Sequence, residues 1–151
     1  MSCCCAKRKL ITSDKTPQAI GPYSIGVSVG HLVYTSGQLG IDVATGNLVE
    51  GGIEAQTRQA LEHLKSVLEA AGTGLDKVIK TTVFLKDIAE FGAMNAVYAE
   101  YFTSEQPARS AFQVAALPKG AAVEIEAVAV IPCDCEKDDH DCDCEKEDCC
   151  H

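Results

Sequence analysis

Residues Ile53 to Leu85 read IEAQTRQALEHLKSVLEAAGTGLDKVIKTTVFL, a helix, its stop and a strand in one stretch. Ile53, Ala60, Leu61, Leu64, Val67, Leu68 and Ala71 recur mostly at three- and four-residue steps, which predicts one apolar helical stripe. Glu54, Arg58, Glu62, Lys65 and Glu69 fall on the other face, mostly four apart with alternating sign. Gly72 takes the position just past the helix end, where a left-handed residue stops it. Val78 to Leu85 is β-branched and predicts a strand. The helix itself carries no functional signal; its stripe suits it to covering a sheet.

Working outward, Lys9 to Ser13 reads as a short extended start, and residues 15–22 as turn-rich. Ser24 to Val29 and His31 to Ser36 predict a hairpin about Gly30. Residues 42–47 form another turn, and Leu48-Val49 predicts a short strand. A second helix is expected over about Ile88 to Phe102, with Ile88, Phe91, Met94, Tyr98, Tyr101 and Phe102 on its apolar face. Two closing strands, Ala108 to Val114 and Val123 to Ile131, are joined through Leu117-Pro118-Lys119-Gly120. The order ββ(β)αβαββ predicts an α+β domain with two helices on one face of a mixed sheet.

The 151 residues suffice for one domain with a sizeable core. No apolar run approaches the roughly 20 residues needed to span a bilayer, and residues 1–8 lack the apolar segment of a secretory signal. A soluble, cytoplasmic protein is expected. Of the net charge of −9, residues 133–151 hold nine acids and two lysines, or −7, leaving −2 for the rest. Such a near-neutral body has no basic stripe for nucleic acid.

All nine cysteines lie outside residues 6–132, so the body is not a disulfide scaffold. The chain therefore divides into a Cys-rich extension (1–6), a body (7–132) and an acidic Cys-rich tail (133–151). Without aliphatic or aromatic residues, the tail is expected to be disordered unless it binds metal. Its Cys133-x-Cys135, Cys142-x-Cys144 and Cys149-Cys150 spacing, with His140 and His151, resembles metallothionein, and dense thiolates select zinc or copper(I). Cys3-Cys4-Cys5 is left unassigned.

Three polar residues fall where burial is predicted. Arg109 stands near the start of a strand, ahead of Ala111, Phe112 and Val114. Glu124 and Glu126 interrupt the most apolar strand and face the same side, their Cα atoms roughly 6.5–7 Å apart. Val128 and Val130 continue that side, so something is expected to cover it. Two carboxylates there need partners, or one shifts towards its neutral form. Two readings stand: an Arg–Glu ion pair at a strand edge or subunit interface, or an anion clamp with a general base beside it.

Six blocks then resemble the reactive intermediate deaminase (YjgF/Rid) family over about residues 7–131. They are Ala19-Ile20-Gly21-Pro22-Tyr23-Ser24, Thr35-Ser36-Gly37-Gln38, Val78 to Leu85, Asn95-Ala96-Val97-Tyr98, Pro107-Ala108-Arg109-Ser110, and Leu117 to Gly120 leading into Val123-Glu124-Ile125-Glu126-Ala127. The resemblance implies a chorismate-mutase-like fold and a homotrimer with sites between subunits. It implies that Arg109 binds a substrate carboxylate and Glu124 positions a hydrolytic water. Tyr23, Gly37 and Asn95 would line the pocket, the Gly37 backbone close to the ligand. Each has a plainer reading: Tyr23 as a packed aromatic, Gly37 as a turn or bulge residue, Asn95 as a loop-bonding side chain.

Ile25, where many members have glutamine, and Ala111, where some have cysteine, depart from the family pattern. The implied substrates are 2-imino acids released by pyridoxal phosphate enzymes, hydrolysed to 2-keto acids and ammonia without metal or organic cofactor. The alternative is a non-catalytic member acting as a ligand-binding, chaperone-like or metal-buffering protein.

Overall fold

The computed structural model describes residues 7–132. In chain order the elements are β1 (Arg8–Ile11), β2 (Gly26–Val29), β3 (Leu32–Thr35), β4 (Gln38–Leu39), α1 (Gly52–Ala70), β5 (Val78–Leu85), α2 (Phe91–Tyr101), β6 (Ala108–Gln113) and β7 (Val123–Val130). The Cys-rich ends and every thiolate and metal expectation attached to them lie outside the described residues.

The strands form one sheet in the order β1-β2-β3-β7-β5-β6, with β4 also paired to β7. Only β5 and β6 run parallel, so the sheet is mixed, and α2 is the crossover that parallel neighbours require. On β7 the odd-numbered residues are buried and the even-numbered ones half-buried. Val123, Ile125, Ala127 and Ala129 pack with Val33, Val83, Leu85, Leu61, Leu64, Leu68 and Met94 in one core between sheet and helices. α1 lies across β7, β4 and β3, and α2 packs beside α1 on the same face.

Helix α1 ends as its glycine predicts. Gly72 is left-handed (φ 84°), its N–H bonds the Glu69 carbonyl at 3.0 Å and the Thr73 N–H bonds the Leu68 carbonyl at 3.0 Å. These two bonds satisfy carbonyls that a helix end otherwise leaves open. The apolar stripe understates the buried face, which also takes in Gln56, Thr57 and His63. Two of these pin passing loops: Gln56 Oε1 accepts from the Ala122 N–H at 2.8 Å, and a His63 ring nitrogen lies 2.7 Å from the Ile41 carbonyl.

Two expectations need correction, and one strand was not expected. Leu48-Val49 is no strand; Leu48 makes a single bridge to Ile41 before the left-handed Gly51 and Gly52 turn the chain into α1. The second helix starts at Phe91, because Ile88–Glu90 is a 3₁₀ turn opened by the Asp87 side chain accepting from the Ala89 N–H at 2.9 Å. The two-residue β4 was too short for periodicity to show.

β4 also explains a kink. Tyr34 pairs with Val128 while Gln38 pairs with Ile125, so residues 34–38 hold one residue more than their partner strand. This is a bulge. Within it the Thr35 hydroxyl accepts from the Ala127 N–H at 2.9 Å, replacing a backbone acceptor in the ladder.

Leu64 has no exposed surface and sits centrally in the core. Leu64→Ala is expected to lower unfolding free energy by about 2–5 kcal/mol, read from urea midpoints at unchanged slope.

Candidate active site

Arg109 is on the edge strand β6, paired with Thr81, which pairs in turn with Ala127. Residues directly opposite share a face, so Arg109 projects towards the helices with those two. Its guanidinium carbon lies over the Tyr98 ring, 4.5 Å from the centroid, and 5.4 Å from that of Phe91. Phe91, Asn95 and Tyr98 are at i, i+4 and i+7 on α2 and form one stripe, which brings Asn95 to the same neighbourhood. Among the described residues neither the Arg109 guanidinium nor the Asn95 amide has a hydrogen-bond or ion-pair partner; Arg58 pairs with Glu100 at 2.6 Å on the outside of the helices.

Glu124 is on β7, opposite Phe84 of β5 and Leu39 of β4. As an even-numbered residue it points away from the helices, with Glu126 two residues on. The bulge sets Gly37 against it. A Cβ at Gly37 would collide with the carboxylate, lying 2.6 Å from Cδ and 2.8 Å from Cγ. The absent side chain is therefore the space that Glu124 occupies, and both the bulge reading and the pocket reading of Gly37 describe the same geometry. The Ser36 hydroxyl donates to the Ser24 carbonyl at 2.6 Å and the Ser36 N–H to the Ile25 carbonyl at 2.9 Å, tying the Tyr23 loop beside Gly37. Tyr23 is exposed there, its ring packed on no core. Glu124 has no hydrogen-bond partner among the described residues. Burial, and next the nearby Glu126 carboxylate, push its pKa above the ordinary carboxylate value.

The predicted residues thus fall into two groups. Tyr23, Gly37 and Glu124 belong to the open face of the sheet, Asn95 and Arg109 to the helix side of its far edge. One chain does not bring Arg109 and Glu124 together, and the intramolecular Arg–Glu ion pair is not formed: β5 lies between their strands, and the side chains leave by opposite faces. The open face also carries Tyr34, Phe84, Phe112, Val128 and Val130, with Tyr34 47% and Phe112 45% exposed. Nothing from the described residues covers it.

Sequence reading missed Tyr98, Phe91 and Thr81 as neighbours of Arg109. Tyr98 and Phe91 read as ordinary apolar-face residues of α2, and only the parallel register of β5 and β6 sets Arg109 over them. Of the departures from the family pattern, Ile25 packs with Ile11 and Val67 in a small satellite core, and Ala111 packs against the main core two residues beyond Arg109. Among the described residues no three His, Cys, Asp or Glu side chains cluster as a metal site, and no helix is long and apolar enough to cross a membrane.

Comparison with known proteins places the chain among relatives of known name. A mouse protein named 2-iminobutanoate/2-iminopropanoate deaminase is 51% identical over 123 residues, which cover 82% of this chain and 91% of the mouse protein. The crystal structure of a putative endoribonuclease L-PSP from Entamoeba histolytica matches with a TM-score of 0.79 at 47% identity, over 82% of this chain and 99% of that one. The crystal structure of E. coli TdcF with bound serine matches with a TM-score of 0.77 at 42% identity, over 81% and 98%. The family model described as Endoribonuclease L-PSP matches residues 13–131. With the match spanning nearly all of the described residues, the chain belongs to this family, the YjgF/Rid family.

Proposed function

We propose that this protein hydrolyses 2-imino acids to 2-keto acids and ammonia, at sites built between the chains of a homotrimer. The observation that carries the reading is the pairing of two half-sites. A part-buried arginine and a half-buried glutamate both lack polar partners among the described residues, and they leave the sheet by opposite faces. A second copy whose β6 edge meets the open face supplies the missing half to each. The mouse relative's name states the same reaction class, and the serine bound to the E. coli relative is an amino acid bearing a carboxylate.

In this reading Arg109 grips the substrate carboxylate through its planar fork of N–H groups. Asn95 and Tyr23 offer polar ends to the rest of the ligand, and the Gly37 backbone approaches it closely. Glu124 accepts a proton from water as the oxygen bonds to C2 of the imine. That proton passes to nitrogen to give a carbinolamine; the new hydroxyl then gives up its proton, carried by Glu124 to the same nitrogen, as the C–N bond breaks, leaving the 2-keto acid and ammonia. The imine is already electrophilic, so positioning and proton transfer suffice. A raised Glu124 pKa strengthens the base that receives the proton. The near-neutral body favours a small anion over nucleic acid. The paired, uncommitted Arg109 and Glu124 favour an enzyme over a passive binding protein. Residues 7–132 are the proposed catalytic domain, and the tail cysteines are proposed to hold zinc or copper(I) separately.

Arg109→Ala and Glu124→Gln are each expected to lower imine hydrolysis at least 100-fold with the fold intact, in an assay coupled to an amino-acid oxidase. Mixing the two inactive variants by co-refolding should restore about a quarter of the wild-type activity, the share of sites that draw both good halves from different chains. No recovery on mixing would count against a shared site.

Glu126→Gln should remain active. Because the Glu126 charge helps raise the Glu124 pKa, its removal should move the acid limb of the kcat/KM profile to lower pH. Burial is the larger cause, so the limb should stay above the ordinary carboxylate value of 4.5. Activity falls as pH drops through the limb, since the base must be ionised.

Deleting residues 133–151 should leave the rate within about twofold of the full chain, because every assigned residue lies between Tyr23 and Glu124. The same deletion should abolish tight zinc or copper(I) binding, measured by metal titration. Thiolates lose protons on binding, so uptake by the full chain should weaken as pH falls.

A further inference from the structure

Resting on the reading of Arg109 as the carboxylate clamp, we propose that Tyr98, anchored by Thr81 and assisted by Phe91, is the positioning residue that aims the Arg109 guanidinium at the substrate. A guanidinium carries five N–H donors and is always charged. Part-buried and without an acceptor among the described residues, it pays a desolvation penalty that a carboxylate would ordinarily offset. Here two ring faces take that place, at 4.5 and 5.4 Å. Ring faces attract the cation through their quadrupole but accept no conventional hydrogen bond. Arg109 is therefore held while its N–H groups stay available.

The brace is itself held. Tyr98 is 5% exposed, its ring tilts against Phe102 with centroids 4.5 Å apart, and its hydroxyl lies 2.7 Å from Thr81 Oγ1, which has no exposed surface. Thr81 is the residue of β5 directly opposite Arg109. One strand position thus fixes both the backbone that carries the arginine and the ring that bears on its charge. Burial, the larger effect, raises the Tyr98 pKa, so the ring remains a neutral phenol and its face keeps its attraction for the cation. Phe91 sits at the other end of the stripe, where it narrows the directions open to the guanidinium, and Asn95 stands between the two rings on the sequence.

Two ligands separate positioning from mere stability: 2-oxobutanoate, a carboxylate of the product class, and its neutral primary amide. Binding of each is measured by calorimetry on the full-length protein, with melting temperature and oligomeric state recorded for every variant. Tyr98→Leu is expected to weaken 2-oxobutanoate about tenfold and the amide less than twofold. Tyr98→Phe, which keeps the ring, should bind the carboxylate within about threefold of the wild type. Phe91→Leu, at a less buried position, should give a smaller loss with the same selectivity, and it keeps the test open if Tyr98→Leu fails to fold. In an Arg109→Ala background neither ring substitution should change carboxylate binding further. For imine hydrolysis, Tyr98→Leu should raise KM with little change in kcat.

Equal weakening of carboxylate and amide, or a full effect in the Arg109→Ala background, would overturn the proposal. A wild type with no preference for the carboxylate would overturn it along with the clamp. If the wild type fails to hydrolyse imines but the ring variants lose carboxylate selectively, the proposed reaction falls while the brace stands.

Discussion

The two-residue period of β7 is the constraint on which the remaining architecture rests. As the central strand it pairs with β3 and β4 on one side and β5 on the other. Its odd positions give the helices their core, and its even positions cannot reach that core without a slip that would expose Val123, Ile125, Ala127 and Ala129. Glu124 and Glu126 are tolerated because they take even positions. The same alternation, passed across β5 to β6, sends Arg109 to the helix side. The separation of Arg109 and Glu124 is thus a property of sheet geometry, and it is why the proposed site draws on a second chain.

Between the two faces, the bulge at residues 34–38 makes the local exception that the site needs. An unbroken β3–β4 strand would place a side chain where the Glu124 carboxylate lies. The extra residue puts a glycine there instead, and the Thr35 hydroxyl meets the Ala127 N–H that the irregularity would strand. A buried threonine and a half-buried glycine, neither chemically reactive, therefore set the space that the Glu124 carboxylate occupies.

Much of this was legible in the sequence, for identifiable reasons. α1, β5 and β7 are long and strongly periodic, and Gly72 marks a stop that the backbone follows bond for bond. Arg109 and Glu124 stood out because charges interrupted apolar strands. The face each would take relative to the other was not legible, since it depends on β5 pairing parallel with β6 and antiparallel with β7, and pairing partners leave no mark in periodicity. β4 escaped because two residues show no period. Tyr98 escaped because an aromatic on an apolar helix face looks alike whether it fills space or bears on a cation. The buried His63 and Gln56 broke the stripe of α1 for a reason visible only in three dimensions, the loops they fasten.

The two halves of the site also differ in how far along the chain they must reach. Tyr98 and Thr81, which brace the arginine, are 17 residues apart, whereas Thr35 and Ala127, which set the bulge beside the glutamate, are 92 apart. Closing the longer loop costs about 1.5 kcal/mol more in chain entropy. The arginine half is a local β5–α2–β6 unit, complete once residue 113 has been made, while the glutamate half waits for β7 to join the first hairpin. The surroundings of Arg109 are therefore closed by short-range contacts, whereas those of Glu124 depend on β7, the last strand in the chain, meeting the first hairpin.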